Sequence, residues 1–236
     1  MIDLHLGLVV QDSSFWPAFS KKDFTHALEL SLAHGQLDVF NYLVHLSYSN
    51  DHFRGFPVTF SVPNVFLSAC KYGHLHVIEF LLGKNEHGEY LYEEVERVLY
   101  MGDGFFNACQ KGHLPIVKLL LTCDAETQPR SQAKINVFVN SLMTGKWEIA
   151  ELLLQKSFTY KGIQYSPSGF DPAASDNYLL RCAVKHSAIE IIKLLLKRDE
   201  NGDPIFPGVE VTPRIRELAS DVICPEVIRA LGLEPL

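Results

Sequence analysis

The chain has 236 residues and a formal net charge of −7 at pH 7, with 47% hydrophobic and 21% charged residues. That balance supports a real core in one large domain or two small ones. It lacks the basic stripe that neutralises nucleic-acid phosphates, so no nucleic-acid partner is expected.

Membrane insertion and secretion are not expected either. The most apolar run, residues 116–121, is broken by Lys118 and falls far short of the ~18 residues of a span. The opening Met-Ile-Asp-Leu-His has an acidic residue and no basic stretch, unlike a cleaved signal. Five cysteines (Cys70, Cys109, Cys123, Cys182, Cys224) form no C-x-x-C pair, and their odd number fits reduced thiols in the cytoplasm.

In chain order, residues 1–23, with Phe15 and Trp16, match nothing downstream and are expected to form an N-terminal cap or arm. A frame then recurs at 31–44, 69–82, 108–121, 141–154 and 183–196: small-x-x-x-Gly-x-apolar-x-apolar-apolar-x-x-apolar-apolar. The turn position is Gly35, Gly73, Gly112 and Gly145, with Ser187 at the fifth, giving spacings of 38, 39, 33 and 42 residues. Such self-similarity is the signature of a repeat architecture. A small residue lets one helix lie close to its neighbours. Glycine ends that helix in a left-handed conformation that side chains resist. The apolar places that follow fall at helical spacing and make one buried stripe. Pro115 suits the first turn of the second helix, where its missing N–H costs nothing. Each unit therefore reads as short helix, turn, longer helix, and stacked units bury what one alone cannot.

Between the frames, residues 54–60, 87–92, 161–165 and 201–206 each set a glycine before a short alternating or aromatic run, the form of a turn opening a strand. Residues 92–99 carry apolar side chains at helical spacing and predict a short added helix. Near the end, Ala219, Val227, Ile228 and Leu231 repeat the frame with Pro225 at the inner apolar place, as a terminal capping unit would.

Gly-His-Leu-Pro-Ile-Val-Lys-Leu-Leu-Leu at 112–121 and Gly-His-Leu-His-Val-Ile-Glu-Phe-Leu-Leu at 73–82 resemble the second-helix signature of ankyrin repeats. The resemblance extends over residues 24–199. It departs from the family pattern in lacking the Thr-Pro-Leu-His opening, whose place is taken by the runs 66–69 and 105–108, and in matching the family's period of about 33 residues only once. The fold it implies is an all-α solenoid, a single continuous domain. Five repeats occupy residues 24–211 and a C-terminal capping repeat 212–236, with short hairpin fingers between repeats.

Catalytic and metal motifs are absent: no H-E-x-x-H, G-x-S-x-G, Walker loop or G-x-G-x-x-G occurs. His74 and His113 follow the turn glycine, where the family places histidine structurally, and no metal or other cofactor is expected at His74 and His76. Cys70 and Cys109 follow the small packing residue and read as buried thiols. Residues 171–176 read as a loop ending in a helix cap before Asn177, and Trp147, at the inner apolar place, reads as core.

By resemblance, the positions two and three after the small residue face a concave groove: Ala33 and His34, Lys71 and Tyr72, Gln110 and Lys111, Met143 and Thr144, Lys185 and His186. With Tyr90, Tyr92 and Tyr165 on the fingers they make an aromatic, slightly basic surface suited to a protein partner. The implied function is non-enzymatic binding of another protein by a chain monomeric when free. Divergent arrays of this kind resemble those in effectors of intracellular bacteria and in large viruses and amoebae, and the first of these implies translocation into a host cell. Two alternatives stay open: an enzyme with a site built across repeats from His34, His186 or Cys182, and an assembly adaptor.

Overall fold

Each occurrence of the frame folds as a helix, a left-handed turn and a second helix. A computed structural model gives this architecture; it describes residues 20–123, 131–155, 157–166, 171–222 and 224–233. Phe15, Trp16 and most of the expected N-terminal cap lie outside the described residues.

The turn is built the same way five times. The backbone N–H of the residue after the glycine position donates to the carbonyl of the small residue: Gln36 to Ser31 (2.7 Å), His74 to Ala69 (3.0 Å), His113 to Ala108 (2.8 Å), Lys146 to Ser141 (2.8 Å) and Ala188 to Ala183 (2.9 Å). This closure needs a positive φ in between, +84° at Gly73 and +84° at Gly112. Ser187 accepts the same conformation at +50°. Where the small residue is serine, its hydroxyl donates back into the helix, Ser31 to the Leu28 carbonyl and Ser141 to the Phe138 carbonyl, so the buried oxygen is satisfied.

Two compact units divide the chain, Met1–Val95 and Glu96–Leu236. The first contains α1 (Lys21–Ala33), α2 (Leu37–Ser49), α3 (Val62–Tyr72) and α4 (Leu75–Leu81). A reciprocal capping box between Ser20 and Asp23 opens α1, and Ser61 caps α3. α1 packs on both α2 and α3, and α3 packs on α4. Helix α5 (Glu94–Met101) follows, in the place expected for an added helix. The second unit holds α6 (Asp103–Lys111), α7 (Leu114–Leu121), α8 (Ser131–Met143), α9 (Trp147–Leu154), α10 (Ala174–Lys185), α11 (Ile189–Leu195), α12 (Pro213–Asp221) and α13 (Pro225–Ala230). Its first helices pack in the order α6, α8, α10, α12, and its second helices in the order α7, α9, α11, α13, which makes two layers. The core lies between them, with Ile116, Val117, Ile149, Ala150, Ile191, Ile192 and Val227 all buried. α12 and α13 close this unit, with Thr212 capping α12 and prolines in the first turns of both.

The connectors differ from one another. Only β1 (Phe158–Tyr160) and β2 (Ile163–Tyr165) pair as strands among the described residues, antiparallel around Lys161 and Gly162, both at positive φ. The connectors at 83–91 and 197–205 are one loop used twice. Each has a single antiparallel bridge, Lys84 with Tyr90 and Arg198 with Pro204, and an Asn85 or Asp199 side-chain oxygen accepting two backbone N–H groups. Residues 56–60, expected to start a strand, form none. Pro57 has no N–H for a ladder, and Phe53 and Phe56 instead pack on Phe24, with ring centroids 5.5 Å away in each case.

Two further expectations need correction. Trp147 is 41% exposed rather than core, because it is the first residue of α9, where Leu37, Leu75, Leu114 and Ile189 are themselves only half-buried. No side-chain cap precedes Asn177; Ser175, Asp176 and Asn177 instead run through the left-handed region within the range of α10, at φ 56°, 56° and 54°.

Candidate functional site

The residues with no part in the core gather at the C-terminal ends of the first helices. Lys71 and Tyr72 end α3, Lys111 ends α6, Thr144 follows α8 and Lys185 ends α10; all are exposed, and His186 is half-buried. His34 caps α1, its Nδ1 donating to the Leu30 carbonyl at 2.9 Å. Thr144 Oγ1 likewise donates to the Asn140 carbonyl. The Lys71 ammonium lies 5.2 Å from the Tyr72 ring centre, which shields one face of that tyrosine.

The connector tyrosines are more engaged. Tyr92 is half-buried between Phe60 and Phe80, at 5.4 and 5.8 Å between ring centres, and burial pushes its hydroxyl above the usual tyrosine pKa. Tyr165 stacks on Phe158 across the hairpin, and Tyr90 lies under the Lys84 ammonium.

Within the second unit, three first helices enclose an open cleft of about 540 Å³. α8 contributes Val139 and Met143; α10 contributes Tyr178, Arg181, Cys182, Lys185 and His186; α12 contributes Arg214, Glu217, Leu218 and Asp221. Of the residues expected to bind, Lys185 and His186 come together here, while Lys111 and Thr144 lie outside the lining. His34, Lys71, Tyr72, Tyr90 and Tyr92 belong to the first unit.

The cleft's polar groups are ordered by one another. Asp176 accepts from Arg181 Nη1 at 2.5 Å and stands 3.8 Å from Arg214 Nη1. Arg181 lies over the Tyr178 ring at 5.8 Å. A hydrogen bond with Cys182 holds the Tyr178 hydroxyl above its ordinary pKa. Burial raises the Cys182 thiol, offset in part by that bond and by Arg181 and Lys185. The net result keeps the thiol protonated, the reverse of the depressed pKa that arms a nucleophilic cysteine.

The histidine pair His74 and His76 serves the packing of the first unit. His76 Nε2 donates to the Gly35 carbonyl at 2.7 Å, and the His74 ring covers the α-carbon of Gly35 so closely that a methyl there would sit 2.6 Å from Nδ1. Among the described residues, no three His, Cys, Asp or Glu side chains are grouped to hold a metal ion, and no helix is long and apolar enough to cross a membrane.

Residues 105–204 match a family model described as ankyrin repeats, in three copies. Over those residues the chain is built of ankyrin repeats. Neither a search of curated proteins nor one of solved structures returned a match. The matched span runs from α6 through α11, three helix pairs of the second unit, and ankyrin repeats are generally modules for protein–protein interaction.

The sequence reading missed Tyr178, Arg181 and Arg214 as residues that line this cleft. Tyr178, Arg181 and Lys185 are spaced by three and four along α10, so they share a face with a residue that was identified. That spacing was the available signal. Arg214 was read only as the polar side of a capping unit.

Proposed function

We propose that this ankyrin-repeat protein recognises another protein through the groove-facing ends of its first helices, without chemistry of its own. One observation carries the reading: the small frame residues Ser31, Ala69, Ala108, Ser141 and Ala183 are buried, whereas Lys71, Tyr72, Lys111, Thr144 and Lys185 are exposed and hold no core position. Cations and tyrosines are common anchors at protein interfaces. His34 and His186 join them at the helix ends. The groove is favoured over the fingers because Tyr90, Tyr92 and Tyr165 are each half-buried, whereas Tyr72 is 60% exposed.

The proposal takes the array as five repeats over residues 24–211 and a capping repeat over 212–236, a solenoid with its connectors as fingers. It takes the free protein as a monomer in the cytoplasm. The elongated repeats resemble those of effectors from intracellular bacteria, which supports action on a host protein after translocation.

Affinity capture with the intact chain tests the proposal. A Tyr72→Ala, Lys111→Ala, His186→Ala variant should keep its melting temperature and bind the captured protein at least tenfold more weakly, about 1.4 kcal/mol. A Tyr90→Phe, Tyr92→Phe, Tyr165→Phe variant, which retains the packed rings, should bind as the parent does. Loss confined to the second variant moves the interface to the fingers, and full binding by both removes it from this face.

A further inference from the structure

A carboxylate of the chain itself stands against two of the arginines that line the cleft in the second unit. Asp176 takes the Arg181 guanidinium by its side chain and also accepts from it at its backbone carbonyl, 2.9 Å away. Arg181 is largely covered, its side chain 18% exposed. Arg214 is different: its side chain is 71% exposed, and at 3.8 Å from Asp176 it has no hydrogen bond to that carboxylate. Its planar fork is therefore open to a second carboxylate, the group it pairs with best. Asp176 is also delivered by a backbone that L side chains resist, three successive residues at φ 54° to 56°. Withdrawal of Asp176 would let that segment relax, so an incoming carboxylate competes against a strained internal one.

The rest of the cleft narrows the occupant. With His186 neutral, Arg181, Lys185 and Arg214 are balanced by Asp176, Glu217 and Asp221, so a polyanion gains no net attraction. Glu217 and Asp221 carry no ion pair to another described residue. They lie on the same helix as Arg214, and Asp221 is seven positions beyond it, about 10 Å along the axis at ~1.5 Å per residue. An extended chain covers that distance in about three residues, at ~3.3 Å each. Val139, Met143 and Leu218 supply apolar surface for the side chains in between.

We infer that this cleft takes an extended segment of the partner protein in which an acidic residue stands three positions from a basic one. The acid binds Arg214 in competition with Asp176, and the base faces Glu217 and Asp221. This rests on the groove reading above and gives it a ligand.

Selection of a random peptide library displayed on phage against the immobilised intact chain tests it. Enriched peptides should share Asp or Glu separated by two residues from Lys or Arg. A synthetic peptide of that sequence should bind Arg214→Glu at least tenfold more weakly, and binding should return when the peptide's acid is changed to lysine. Arg214 is exposed, so that variant should melt as the parent does. Asp176→Asn, which weakens the internal competitor, should bind at least threefold more tightly. Enriched peptides without the acid–base pair, or with affinity indifferent to Arg214→Glu, overturn the inference and leave the groove reading standing. So does a library that yields no binders while protein capture still depends on Tyr72, Lys111 and His186. If capture too is indifferent to those three, both fail.

Discussion

Ala108 is fully buried on α6, with its carbonyl closing the turn to His113. Its neighbour two residues on, Gln110, is exposed on the same helix. Replacing Ala108 with leucine forces three extra carbons into a close helix contact and should destabilise the protein by about 1–3 kcal/mol. The same replacement at Gln110 should cost less than about 0.5 kcal/mol, because nothing there is packed. Denaturant midpoints of the two variants measure the difference, and equal shifts would mean that the helix faces are misassigned. The single small residue thus sets how near two helices lie, and a residue two positions away is left exposed.

At the scale of elements, the helix pairs were legible because they are specified locally. The small residue, the turn glycine and the apolar stripe lie within fourteen consecutive residues, and each acts on its neighbours in the chain. What was not legible depends on distant partners. The fate of the first connector is decided by Phe53 and Phe56 finding Phe24, a contact that no local pattern announces. Lys134 is buried on α8 at the place where α1 has Phe24 and α3 has Val62, and burial lowers its pKa. The turn before Tyr178 has the same origin. Its left-handed run is held by Asp176 on Arg181 and by the Asn177 side-chain oxygen, which accepts from the Glu210 N–H at 3.2 Å. Ser175 is exposed and sits at φ 56°, where glycine is at ease. Ser175→Gly should therefore stabilise the protein by about 0.5–1 kcal/mol, the left-handed penalty of roughly 1–2 kcal/mol less the greater freedom of an unfolded glycine. A thermal melt reads the sign, and a lower melting temperature would argue that the run is not left-handed.

Across the whole molecule, the proposed recognition residues were only partly legible. The frame placed Lys71, Tyr72, Lys111, Thr144 and Lys185 on the surface, since a register that buries the stripe must expose the residues just before the turn. It did not indicate that Arg181 and Arg214, contributed by α10 and α12, would share one carboxylate, because that depends on how two repeats pack. The central claim is that recognition uses these first-helix ends while the second helices maintain the fold. Amide hydrogen exchange on the intact chain, free and bound to its captured protein, tests it most directly. The account predicts slower exchange in the bound state at residues 71–73, 110–112, 143–145 and 185–187, with the middle turns of α4, α7, α9 and α11 unchanged. Protection confined to those second helices, or to the hairpin at 158–165, with none at the first-helix ends, would contradict it.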